Sequence, residues 1–169
     1  MLKRAASSSL RRLARYYPVV ALTGPRQSGK TTLARATFPR KPYVNLEDPD
    51  IREFAERDAR GFLGQYPSGA VLDEAQRAPG VFSYLQTIVD ADRRPGRFVL
   101  TGSQQFGLFS RIAQTLAGRV GLMHLLPFSL NELGRAAAPR SVEELLWRGL
   151  YPPVIDLGVP PGTWYADYM

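Results

Sequence analysis

Apolar residues along this chain fall into two alternating rhythms. Short runs bounded by polar or glycine-rich turns read as strands: Val19 to Thr23, Tyr43 to Leu46, the A-V-L of Ala70 to Leu72, Arg97 to Thr101, and Val120 to Leu126. Between them apolar positions recur every three or four residues, the spacing of one helix face. Leu10, Leu13 and Ala14 make such a stripe behind a serine run offering an N-cap, which predicts a short basic helix. Ile51, Phe54 and Ala55 predict a polar helix from about Asp50 to Ala59. Val81, Phe82, Leu85, Ile88 and Val89 predict a core-facing one after Pro79-Gly80. A further stripe is Leu108, Phe109, Ile112 and Leu116. Pro39 and Pro42 close the helix after the first strand, and Gly61, Gly64, Pro67 and Gly69 read as a loop.

The last fifth of the chain is patterned differently. Pro127 to Leu133 leaves the fifth strand and starts a short helix, and a polar joint follows at residues 135–140. Ser141 with Glu144 predicts a capping box for a helix from Val142 to Arg148, which Gly149 to Pro153 breaks. A new aromatic-rich helix begins near Thr163 and the sequence stops at Met169, as expected of a fragment of a longer protein.

Composition narrows the class. A chain of 169 residues with 44% hydrophobic and 22% charged residues suits one soluble domain. There is no cysteine, so disulfides and thiolate metal sites are excluded, in keeping with a cytoplasmic location. No apolar run approaches the roughly 20 residues of a membrane helix. The net charge of +7 is unevenly placed: residues 1–46 hold ten Lys or Arg and no acid, and the rest is net negative. A basic first third suits nucleic acid, an anionic surface or a bound polyphosphate.

One stretch carries specific chemistry. The first strand runs into G-P-R-Q-S-G-K-T-T, which fits G-x-x-x-x-G-K-[ST] at Gly24, Gly29, Lys30 and Thr31 and then becomes a helix. Strand, glycine loop and helix together make a phosphate cradle, because loop N–H groups and the helix dipole converge on one anion. The expected nucleotide contacts are Gly24, Pro25, Arg26, Gln27, Ser28, Gly29, Lys30, Thr31 and Thr32. Lys30 would reach the β- and γ-phosphates and Thr31 would hold Mg²⁺.

A second stretch answers the first. Ala70 to Leu72 ends in Asp73-Glu74, and the C-terminal edge of an open parallel sheet is where ligands sit. Asp73 fits the carboxylate that positions Mg²⁺, and Glu74 fits the base for an attacking water. Ser103 or Gln104, after the fourth strand, is a candidate sensor of the terminal phosphate. Arg119, before the fifth strand, is a candidate arginine for transition-state charge, from its own chain or a neighbour's. His124, the single histidine, lies in an apolar run and reads as a core residue.

G-P-R-Q-S-G-K-T-T-L, L-D-E-A-Q, L-T-G-S-Q-Q, L-A-G-R-V, P-F-S-L-N-E-L and G-L-Y-P-P occur in this order. The ordered set resembles the predicted AAA-superfamily P-loop ATPases of bacteria and archaea that carry an uncharacterised C-terminal domain. That resemblance implies a three-layer α/β/α sandwich with a five-stranded parallel sheet in the order 5-1-4-3-2. It also implies ATP and Mg²⁺ as cofactors, catalytic roles for Lys30, Glu74, Ser103, Gln104 and Arg119, and Mg²⁺ ligation by Thr31 and Asp73. Residues 1–134 would form the ATPase core and residues 135–169 a short helical extension. The main reading is a nucleotide-driven switch that hydrolyses ATP and is capable of self-association. The alternative is a nucleic-acid-associated ATPase module, its partner bound through a C-terminal region outside this sequence. A small-molecule kinase is disfavoured by Glu74, since kinases exclude water.

Overall fold

The computed structural model of the chain describes residues 2–103, 112 and 114–168. Its sheet contains β1 (Val19–Gly24), β2 (Tyr43–Asn45), β3 (Val71–Asp73), β4 (Phe98–Ser103) and β5 (Val120–His124). All pair in parallel in the order β2-β3-β4-β1-β5, which is the expected order read from the other edge. The described helices are α1 (Ala6–Tyr16), α2 (Lys30–Thr37), α3 (Pro49–Arg57), α4 (Ala59–Gly64), α5 (Val81–Ala91), α6 (Leu130–Ala137), α7 (Val142–Arg148), α8 (Pro152–Asp156) and α9 (Pro161–Tyr168).

Strand residues point alternately to the two faces of a sheet, and here both faces are covered. Val19 and Ala21 join Leu72, Phe98 and Leu100 in a core completed by Phe62 and Leu63 of α4 and by Phe82, Leu85 and Val89 of α5. Val20 and Leu22 join Val71 and Val99 on the other face, against Leu10 of α1 and Leu33 and Ala34 of α2. Burial on both sides is why β1 and β4 are continuous apolar runs without alternation. The resulting three layers are the α/β/α sandwich that the motifs led us to expect.

Four local expectations are corrected. The region from Gly61 to Gly64 is the helix α4, not a loop: Asp58 Oδ1 accepts from Gly61 N at 2.8 Å, and Phe62 and Leu63 are buried. Capping and burial outweigh the low helix propensity of glycine. α1 begins at Ala6, before the serines, whose hydroxyls at Ser7 and Ser8 donate back to Arg4 and Ala5 carbonyls. At α7 only half of the capping box forms. Glu144 N donates to Ser141 Oγ at 3.2 Å, while the Glu144 carboxylate takes Arg140 N. His124 is exposed, because β5 is an edge strand, and its Nδ1 lies 3.3 Å from Thr23 Oγ1.

Candidate functional site

Gly24 ends β1 at φ +147, and a Cβ there would lie 2.1 Å from the Leu125 carbonyl oxygen, so only glycine fits this turn. The chain then passes through Gln27 (φ 57) and Gly29 (φ 90) before α2 starts at Lys30. Two left-handed residues fold the loop back over the N-terminus of α2, an arrangement suited to an anion. Lys30 is buried, and its Nζ donates to the Pro25 carbonyl at 2.7 Å. Burial lowers its pKa, opposed by the nearby charges of Glu74 and Asp73. Ser28 Oγ is buried without a partner among the described residues, and Thr32 is exposed on the first turn of α2.

Sheet register then assembles the second half. Asp73 shares the face of Val71, Thr101 that of Val99, and Tyr43 that of its register partner Val71. All three therefore point toward α2. Thr31 Oγ1 donates to both carboxylate oxygens of Asp73, at 2.9 Å each. The Tyr43 hydroxyl donates to Asp73 Oδ2 at 2.7 Å, and the Thr101 hydroxyl donates to Oδ1. The tyrosine ring lies under Arg35 of α2, 4.7 Å from its guanidinium carbon. Burial and the bond to Asp73 push the Tyr43 phenol well above its ordinary pKa. Tyr43 and Thr101 were not legible as site residues, because their roles depend on which strands are neighbours.

Glu74 leaves β3 in the left-handed conformation at φ 51, an uncommon one for a residue with a side chain. That turn brings its carboxylate to the end of β4, with Ser103 N and Oγ each 3.4 Å from Glu74 Oε2. Gln76 Nε2 donates to the same carboxylate oxygen and to Ser103 Oγ, the latter at 3.1 Å. Gln104 lies outside the described residues. Arg119 is elsewhere. It precedes β5 and grips Asp90 of α5 through Nε (2.6 Å) and Nη2 (2.8 Å). Its carbonyl accepts from Val19 N, at the start of β1, whereas the glycine loop follows the end of β1. Five residue steps along the strand separate these ends by about 17 Å at the usual rise. Parallel pairing thus puts Arg119 and the loop of its own chain at opposite ends of the sheet.

Two distant segments complete the surroundings. Arg4 donates to the Ser28 carbonyl (2.8 Å), to the Leu126 and Pro127 carbonyls (2.8 and 3.2 Å) and to Glu132 (3.0 Å), and stacks over Phe128. From the other end of the chain, Trp164 Nε1 donates to Gln27 Oε1 at 2.9 Å, and the Tyr168 hydroxyl to the Arg26 carbonyl at 3.4 Å. Tyr151 packs in tilted and edge contacts among Trp164, Tyr165 and Tyr168, and burial with the Tyr168 contact leaves its phenol pushed up to about 12. A groove of about 1960 Å³ is lined by residues of these segments and of the loop, among them Lys30, Thr31, Glu74, Arg77, Phe128 and Pro152.

A doubly covered parallel sheet with a glycine loop after β1 defines the P-loop class of α/β domains. The AAA domain family matches residues 16–134, and the chain belongs to that family. It is also 39% identical over 155 residues to the uncharacterized proteins Mb2031c of Mycobacterium bovis and Rv2008c of Mycobacterium tuberculosis. Each match covers 89% of this chain and 34% of the relative, so the chain spans about a third of their length. Among solved structures, the Walker-type ATPase PABY2304 of Pyrococcus abyssi aligns with TM-score 0.56 at 16% identity, over 92% of this chain and 65% of its own. AMPPCP-bound DnaA from Aquifex aeolicus gives 0.55 at 14%, over 91% and 57%. At these identities the likeness is one of fold.

Proposed function

We propose that this chain is an ATP-binding and hydrolysing switch domain. The observation that carries the reading is the bond between Thr31, in the first turn after the loop, and Asp73, at the end of β3. A hydroxyl and a carboxylate held together are hard oxygen donors of the kind Mg²⁺ takes alongside nucleotide phosphates. Thr31 and Asp73 would hold that ion. When bound, it would neutralise charge on the β- and γ-phosphates. The loop from Gly24 to Thr32 binds and orients the polyphosphate, with Lys30 turning from the Pro25 carbonyl to the phosphates. Glu74 accepts the proton of the attacking water, and Ser103 beside it faces the terminal phosphate. Arg119 acts on the nucleotide of a neighbouring copy. Residues 1–134 are the core of this cytoplasmic ATPase, and residues 135–169 are the segment that feels its state.

Phosphate release from Mg-ATP by the purified chain, with nucleotide binding followed in the same samples, tests the reading. We expect turnover by the parent, and binding with turnover lowered by about 10²–10⁴-fold for Glu74→Gln. Lys30→Ala should scarcely bind. A parent that binds no nucleotide, or binds it without releasing phosphate, sinks the proposal.

A further inference from the structure

The mechanism above leaves Gln76 without a task, yet its side chain joins Glu74 to the end of β4. Gln76 follows Glu74 by two residues, in the 3-10 turn Ala75–Arg77. Its amide nitrogen donates both to the Glu74 carboxylate and to Ser103 Oγ. Both partners lie within reach of one amide group because Glu74 turns left-handed and so folds back toward β4. Glu74 Oε2 can only accept when ionised, so the nitrogen, not the carbonyl oxygen, must face it. The carbonyl oxygen is thereby turned into the protein, where it is buried without a donor among the described residues. A side chain kept only for packing needs neither bond, and an apolar residue of the same size would fill the space without burying an amide.

We infer that Gln76 is the positioning residue for Glu74. It fixes the carboxylate that takes the water's proton and ties it to Ser103, so that base and phosphate-facing turn move as one unit. The inference deepens the ATPase reading and rests on it. Gln76 does not touch nucleotide in this scheme and acts only through Glu74. Its loss should therefore lower kcat and leave KM and nucleotide affinity in place.

The test compares Gln76→Met, which keeps the side-chain volume and removes the amide, with the parent and with Glu74→Gln. Phosphate release and fluorescent ATP-analogue affinity are measured on the purified chain, with thermal midpoints as a check on folding. We expect Gln76→Met to lose at least tenfold in kcat, part of the roughly 10²–10⁴-fold that a positioned base contributes. KM and analogue affinity should stay within twofold. In the Glu74→Gln background the same substitution should change the residual rate by less than twofold, because the group it acts through is already disabled. An unchanged kcat overturns the inference, and so does a further tenfold loss in the Glu74→Gln background. A kcat loss that tracks weaker nucleotide affinity or a lowered thermal midpoint also overturns it, in favour of a structural role. A parent that releases no phosphate overturns the ATPase reading and this inference together, whereas an active parent with an unaffected Gln76→Met overturns the inference alone.

Discussion

Asp73 is 5% exposed and takes hydroxyl donors from three different elements: Thr31 after the loop, Tyr43 on β2 and Thr101 on β4. A buried carboxylate is tolerable only with such partners. The same partners fix the direction in which its lone pairs point. Tyr43 is the most informative to remove, since Tyr43→Phe keeps the ring under Arg35 and deletes only the hydroxyl. Partners that orient a metal ligand are typically worth 10–100-fold in metal affinity. Tyr43→Phe should therefore weaken Mn²⁺ binding in the presence of ADP by about tenfold, read by electron paramagnetic resonance. ADP affinity in EDTA should not change. The lysine and threonine of the loop were legible from their spacing alone, because a glycine-flanked loop leading into a helix is a local arrangement. Tyr43 and Thr101 were not, because register brings them to Asp73 and register is not local.

At the scale of elements, the N-terminal segment is stapled to the loop and to α6. Glu132 accepts from Ala5 N and Ser129 N at 2.8 Å each, and from Arg4. Burial would raise its pKa, but these bonds outweigh it and hold the carboxyl below its ordinary value. A depressed carboxylate contributes stability above its unfolded pKa of about 4.3 and loses it as pH falls through the lower, folded value. Glu132→Gln should thus unfold more easily than the parent at pH 7, by about 3 kcal/mol for a mostly buried pair. The gap should close on acidification below about pH 4, as seen in urea melts across that range. The pattern of apolar residues had located α5 and β1 through β4 well, since amphipathic spacing is set residue by residue. It missed α4, where an aspartate cap and two buried side chains override glycines that in isolation mark a loop.

For the whole molecule, the two ends of the chain meet at the same loop, Arg4 on the Ser28 carbonyl and Trp164 on Gln27. Of the two tryptophans, Trp147 is 67% exposed and Trp164 only 6%. A Trp147→Phe variant therefore leaves one indole that reports on the loop. Adding Mg-ATP should change its emission intensity, and Lys30→Ala should abolish the change in a stopped-flow or titration record. Emission that stays flat while nucleotide binds would mean that the aromatic helix ignores the loop. The sequence by itself determined the glycine loop, the acidic strand end and the three-layer class, because each depends on residues close along the chain. Only the tertiary structure decided which partners Asp73 and Glu74 have, that Arg119 stands at the far edge of the sheet, and that α9 closes on the loop. Apart from the Glu74–Gln76 bond, those contacts join residues from 28 to 142 positions apart, and their geometry follows from strand order and helix docking. No local pattern encodes it.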